Sequence, residues 1–247
     1  MITVKTSAEI ALMRAANLIV RDTLEKVGEA VKAGVTSAHL NKIAHDYIIS
    51  QGAIPSFLGY EGYPASACIS VNEQVVHGIP SDRRIEDGDI VSVDIGAIYK
   101  GYHGDAARTF EVGAVGELKH KLVEVTKQSF FEGIKVLRDG ARLGDLGHAI
   151  QSYAESNGFS VVRALVGHGI GTEMHEDPQV PNYGEQGRGM RLRAGMTIAI
   201  EPMINAGDYA VRQLSDGWTV VTVDGKPSAH YENTVVITSD GCDILSL

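Results

Sequence analysis

Four carboxylates and one imidazole, Asp94, Asp105, His168, Glu201 and Glu232, stand inside apolar or glycine-flanked runs of this chain. A buried carboxylate without a partner is costly, so a fold that buries these runs must bring the charges to cations or to hydrogen-bond donors. Hard oxygen ligands with one nitrogen suit divalent metal ions, and four carboxylates are more than one ion usually takes. Two ions sharing bridging carboxylates would use them all and would make a hydrolytic centre.

The first pair is the most explicit. Ile90 to Ala97 alternates, with Val91, Val93 and Ile95 on one face and Ser92, Asp94 and Gly96 on the other. Lys100-Gly101 suits a two-residue hairpin turn, which pairs Tyr99 with Tyr102 and Gly96 with Asp105. Asp94 and Asp105 then share a face as diagonal neighbours, about 7–8 Å apart at the backbone. Like charges this close repel unless a cation lies between them. A β-bulge would change the register, and on an exposed edge the two aspartates would simply be solvated.

The other ligand candidates sit in comparable settings. Gly167-His168-Gly169-Ile170-Gly171 sets a histidine among glycines that allow close backbone approach. His175 follows in Met174-His175-Glu176-Asp177-Pro178. Glu201 ends an apolar strand on the face of Thr197 and Ala199, and Pro202 closes the ladder. Glu232 opens another strand, Tyr231-Glu232-Asn233-Thr234. His77, in Val76-His77-Gly78-Ile79-Pro80, follows a candidate strand and precedes a turn. Each residue alone reads as structural or solvent-facing. It is the set that points to metal.

Helical patterns at 7–28 and 36–51 precede strands from 65 to 112. Helices at 117–138 and 143–157 then precede strands from 160 onward. Thr6 and Glu9 have capping-box spacing, and Gly28 is the expected stop of the first helix. This order gives an α+β layout of two similar halves about a shared sheet. No flexible linker divides it, so residues 1–247 are expected to form one catalytic domain. The net charge of −9 argues against direct nucleic-acid binding. Two widely separated cysteines, with neither a secretory signal nor a run of about 20 apolar residues, point to a cytoplasmic protein outside the membrane.

Taken in order, Val76 to Pro80, Asp94, His103-Gly104-Asp105, Gly167 to Gly171, His175 to Pro178, Ile200-Glu201-Pro202 and Tyr231 to Thr234 resemble the methionine aminopeptidases over nearly the whole chain. The short interval from Glu201 to Glu232, without an N-terminal zinc-binding or polybasic extension, resembles the compact bacterial type I form.

The resemblance implies the pita-bread fold, two pseudo-symmetric halves around an antiparallel sheet. It also implies removal of N-terminal methionine from nascent chains whose second residue is small and uncharged, by attack of a metal-bridging water. Asp94 would chelate one ion, Asp105 and Glu232 would bridge both, and His168 and Glu201 would complete the other. Glu201 would also act as general base and then acid, His175 would stabilise the developing negative charge, and His77 would position the scissile amide.

Tyr60, Tyr63, Cys68 and Trp218 would line the methionine pocket, with Phe57 and Met174 at positions often held by Cys and Phe in the family. Glu61 stands where a histidine is common, and Gly96 and Ala199 stand where some members have threonine. The ions could be Co, Mn, Fe, Zn or Ni. Asn72 and Ser228 are expected to hold a structural Na or K. The implied partners are nascent polypeptide N-termini, with transient ribosome contact, for a monomeric enzyme.

Two other readings compete. An aminopeptidase cutting Xaa-Pro bonds shares the fold, but such enzymes usually carry an extra N-terminal domain. A non-catalytic binding module of the same fold would be expected to lose metal ligands, and all five are present here.

Overall fold

The computed structural model describes residues 2–247. Helices α1 (Ser7–Ala30) and α2 (Ser37–Ser50) lead into strands β1 (Ile54–Pro55), β2 (Ala67–Val71), β3 (Gln74–Val76), β4 (Ile90–Tyr99) and β5 (Tyr102–Glu111). A second helix pair follows, α3 (Glu117–Ile134) and α4 (Leu143–Ser156). After it come β6 (Ser160–Val161), β7 (Gly167–Gly169), β8 (Glu176–Val180), β9 (Thr197–Ile200) and β10 (Met203–Asn205). The chain closes with β11 (Val211–Gln213), β12 (Val220–Thr222), β13 (Ser228–His230), β14 (Asn233–Ile237) and β15 (Cys242–Ile244). This is the pita-bread arrangement, with each helix pair backing antiparallel strands.

The expected shared sheet is divided into ladders. β1, β2, β4 and β5 form one sheet, and β15-β14-β9-β7-β8 form another. Two three-stranded sheets, β13-β10-β6 and β11-β12-β3, complete the frame. The two larger sheets are stitched where Ala107 and Glu232 exchange backbone hydrogen bonds. His103 N also donates to Gly171 O at 2.8 Å. One core packs Val20, Leu24, Leu40 and Ile48 of α1 and α2 against Ile69, Val93 and Ile95. Its counterpart packs Phe130, Leu146 and Ile150 of α3 and α4 against Ile198, Ile200 and Val235. Apolar burial of this kind is the main stabilising contribution on both sides of the central seam.

Helix starts follow the sequence closely. The Thr6–Glu9 capping box is formed, and Thr36 caps α2 through its hydroxyl. Two ends differ from expectation. Helix α1 runs past Gly28 to Ala30. Gly28 is instead a contact point: a Cβ there would stand 2.5 Å from the Phe110 ring. Helix α3 stops at Ile134, where Lys135 to Arg138 turn away before Gly140. Among the described residues no helix is long and apolar enough to cross a membrane.

Candidate metal centre

The β4–β5 hairpin has the expected register, with Tyr99 opposite Tyr102 and Gly96 opposite Asp105. Alternation therefore turns Asp94 and Asp105 to the same side. β2 lies on the other flank of β4 and sets Cys68 opposite Asp94. Gly96 leaves room for a neighbour, since a Cβ would meet the Phe57 ring at 2.7 Å. Asp105 is held at its backbone N–H, which reaches Asn17 Oδ1 and Thr234 Oγ1 at 3.2 Å each.

The second sheet supplies the other ligand candidates. His168 pairs with Ala199, and the β9–β14 ladder pairs Ile200 with Asn233. Continuing that register one step sets Glu201 opposite Glu232. Both glutamates stand just outside the strands, which end at Ile200 and begin at Asn233. His168 Nε2 lies 3.6 Å from Glu201 Oε1 and 3.6 Å from Asp105 Oδ2. Its Nδ1 sits 2.9 Å from Gly169 O, the arrangement that turns the other ring nitrogen toward a metal.

The electrostatics call for cations. Asp94 Oδ1, Asp105 Oδ1 and Glu232 Oε1 are buried with no hydrogen-bond partner among the described residues. Burial pushes the Asp94 carboxyl up to about 7. Burial also raises Asp105, with the charges of Asp94 and Glu201 adding to it, and raises Glu232, with Asp105 and Asp94 adding to it. Burial, followed by the charges of Glu232 and Asp94, raises Glu201. Burial depresses His168 to about 3, which leaves it neutral and able to ligate. Donor atoms of Asp105, His168 and Glu232 lie within 4.8 Å of one another. Orphaned oxygens, convergent like charges and a neutral imidazole together fit divalent ions.

All thirteen site residues read from the sequence line one cavity of about 150 Å³. Asp94, Asp105, His168, Glu201 and Glu232 form its floor. Its apolar wall comprises Phe57, Tyr63, Cys68 and Met174, with Tyr60 and Trp218 packed against them. Tyr63 lies edge-on to Trp218 at 5.1 Å and donates to Ala67 O and Gly78 O. Burial raises both the Tyr63 hydroxyl and the Cys68 thiol, so both stay neutral.

His77 follows β3 with φ +59°, a left-handed conformation unusual for histidine, and its ring is 6.4 Å from Trp218. Burial, with His175 beside it, lowers His77 to about 4. His175 Nδ1 lies 2.7 Å from the Tyr60 hydroxyl, and the His175 ring is 4.3 Å from that of His168.

Some features were not anticipated. His230 is buried, and its Nε2 lies 3.8 Å from Glu232 Oε2. Burial lowers it to about 3, with His77 and Arg108 adding to the effect. Its place two residues before a ligand candidate was the available signal. Lys5 pairs with Glu176 at 2.5 Å and so ties the N-terminal segment to the loop bearing His175. Nothing in the local sequence announces that pairing. Asn72 and Ser228 are neighbours, and Asn72 Oδ1 accepts from Lys119 Nζ at 2.8 Å. The Asn72 backbone carbonyl oxygen accepts from Ser228 N at 2.9 Å.

Residues 11–239 match the model of metallopeptidase family M24. The chain is 55% identical to the methionine aminopeptidase of Clostridium perfringens over 247 residues, covering 100% of this chain and 99% of the relative. It is 52% identical to methionine aminopeptidase 1 of Bacillus subtilis, covering 100% and 99%. The crystal structure of methionine aminopeptidase from Rickettsia prowazekii superposes with a TM-score of 0.98 at 45% identity, covering 100% of both chains. With the same fold and this degree of identity along its full length, the chain belongs to the methionine aminopeptidases, hydrolases of metallopeptidase family M24.

Proposed function

We propose that residues 1–247 act as one catalytic domain that removes the N-terminal methionine of nascent proteins and peptides whose second residue is small and uncharged. One observation carries this reading. Four carboxylates and His168 converge at the floor of a cavity whose walls are sulfur-bearing and aromatic, suited to an unbranched thioether side chain.

In this reading Asp94, Asp105, His168, Glu201 and Glu232 would hold two divalent ions, with Asp94 on one, His168 and Glu201 on the other, and Asp105 and Glu232 shared. The ions would be Co, Mn, Fe, Zn or Ni. The chemistry such ions would supply there is polarisation of the scissile carbonyl and a water acidic enough to attack near neutral pH. Glu201 takes the proton of the attacking water and returns it to the amide nitrogen as the C–N bond breaks. His175, oriented by Tyr60 through the 2.7 Å contact at Nδ1, donates from Nε2 to the oxygen on which negative charge develops. His77 contacts the scissile amide and sets its position. The free α-amino group of the substrate binds at the acidic floor, which restricts cleavage to the first peptide bond.

The proposed partner is the emerging end of a nascent polypeptide, met by a cytoplasmic monomer in transient contact with the ribosome, without direct nucleic-acid or membrane binding. The test is hydrolysis of Met-Ala-Ser, Met-Lys-Ser and Arg-Pro-Pro by metal-stripped protein titrated with Mn, Fe or Co. Metal-dependent release of methionine from Met-Ala-Ser alone is expected. Cleavage of Arg-Pro-Pro instead would move the activity to Xaa-Pro bonds, and a folded but inert protein would leave a binding role.

A further inference from the structure

His230 is 1% exposed, and its Nε2 has no hydrogen-bond partner among the described residues. That atom lies 3.8 Å from Glu232 Oε2 and 3.9 Å from Glu201 Oε2. These separations are too long for hydrogen bonds, which for N–H donors close at about 2.7–3.2 Å. They do suit atoms sharing one ion. Two donors each about 2.0–2.2 Å from a metal can be no more than about 4.4 Å apart.

His168 stands in a matching position, 3.6 Å from Glu201 Oε1 and from Asp105 Oδ2. Glu201 thus presents one oxygen toward each imidazole. Donor atoms of Asp94, His230 and Glu232 fall within 4.8 Å of one another, as do those of Asp105, His168 and Glu232. The two triads share Glu232 and otherwise mirror each other, with one aspartate and one histidine apiece.

We propose that His230 supplies a nitrogen ligand to the ion held by Asp94 and Glu232, so that each of the two ions carries one imidazole. The ion at Asp94 is then bound by oxygen and nitrogen rather than by oxygen alone. Imidazole favours Fe, Ni and Zn over Mn at such a position. The backbone of His230 is fixed for this role, since its N–H donates to Thr109 Oγ1 at 3.0 Å and its carbonyl accepts from that hydroxyl at 2.8 Å. Across the break between β13 and β14, Glu232 brings its Oε2 to 3.8 Å from His230 Nε2.

This inference rests on the two-ion reading above, and the experiment separates the two. Metal-stripped full-length protein is titrated with Co²⁺ and followed by calorimetry and by proton NMR. A histidine bound to Co²⁺ through Nε2 leaves a ring N–H whose resonance is shifted far from the normal range and disappears in D₂O. At two equivalents the wild type should give two such signals. His168→Gln should remove one of them and His230→Gln the other. His230→Gln should also weaken the second equivalent by about tenfold or more.

Two bound equivalents with only one shifted imidazole, or a His230→Gln protein that keeps both signals and both affinities, would overturn the assignment of His230 and leave the two-ion centre standing. Fewer than two bound equivalents in the wild type would overturn the two-ion reading and the His230 assignment with it. The wild-type spectrum decides the matter even if a variant fails to fold.

Discussion

Ala107 and Glu232 exchange both of their backbone hydrogen bonds, at 3.3 Å from Ala107 N to Glu232 O and 3.0 Å in return. This pair joins the two larger sheets at the point where their carboxylates meet. Asp105 is two residues from Ala107 on one side of the seam, and Glu232 is the partner itself. Arg108 reinforces the junction by donating to Glu232 O at 2.5 Å and to Asn233 Oδ1 at 2.7 Å.

Thr234 is a second stitch across this seam. Its buried hydroxyl donates to Asp105 O at 2.9 Å and accepts from Asp105 N at 3.2 Å. Thr234→Val keeps the shape and removes both bonds. Urea unfolding should record a loss of about 1–2 kcal/mol, because the Asp105 carbonyl is left with a lost donor. An unchanged midpoint would remove Thr234 from the bracing of the seam.

Glu201→Gln retains size and removes the proton-accepting charge. Turnover of Met-Ala-Ser should fall by about 10²–10⁴-fold at saturating metal, the usual contribution of a positioned acid–base group. Circular dichroism should be unchanged. A variant with near wild-type kcat would exclude Glu201 as the proton carrier.

Metal removal should couple to protons with a definite sign. Without metal, burial raises the Asp94 carboxyl to about 7 and shifts Asp105, Glu201 and Glu232 in the same direction. Asp94 is therefore largely protonated at pH 6 and the other three carboxylates are shifted toward the protonated form, so an incoming divalent ion displaces protons. His168, depressed to about 3, is already neutral and releases none. Calorimetry of Co²⁺ binding at pH 6 in buffers of different ionisation enthalpy should register net proton release. Affinity should rise as pH increases through about 7. Thermal midpoints should fall on chelation, since ions bound only to the native state stabilise it. Proton uptake on binding would contradict the assigned ligands.

Lys5→Met tests the N-terminal brace. The Lys5 and Glu176 side chains are only 5% and 10% exposed, so removing the ammonium leaves a poorly compensated carboxylate. Thr3 Oγ1 and the amides of Thr172 and Glu173 remain as its donors. A destabilisation of about 3 kcal/mol is expected. The loop from Gly171 to Asp177 should loosen as well, which hydrogen exchange at Met174 and His175 would detect. Unaltered exchange there would confine Lys5 to a local role.

The β4–β5 hairpin was legible because its information is local. Period-two alternation and the Lys100-Gly101 turn set the register, and the register alone puts Asp94 and Asp105 on one face. The helix starts were legible for the same reason, since Thr6 and Thr36 satisfy the first backbone N–H groups from within one turn. Gly28 misled because a glycine required by packing against Phe110 looks the same in sequence as one that ends a helix.

By itself, then, the sequence determined the order of elements, the chemistry of the ligand candidates and the hairpin that carries two of them. These depend on neighbours a few residues apart. The tertiary structure alone decided that Glu201 and Glu232 face each other, that Lys5 reaches Glu176 across 171 positions, and that His230 points at two glutamates. Each depends on the register between strands far apart in the chain. That register is set by packing of whole sheets, which no local pattern encodes.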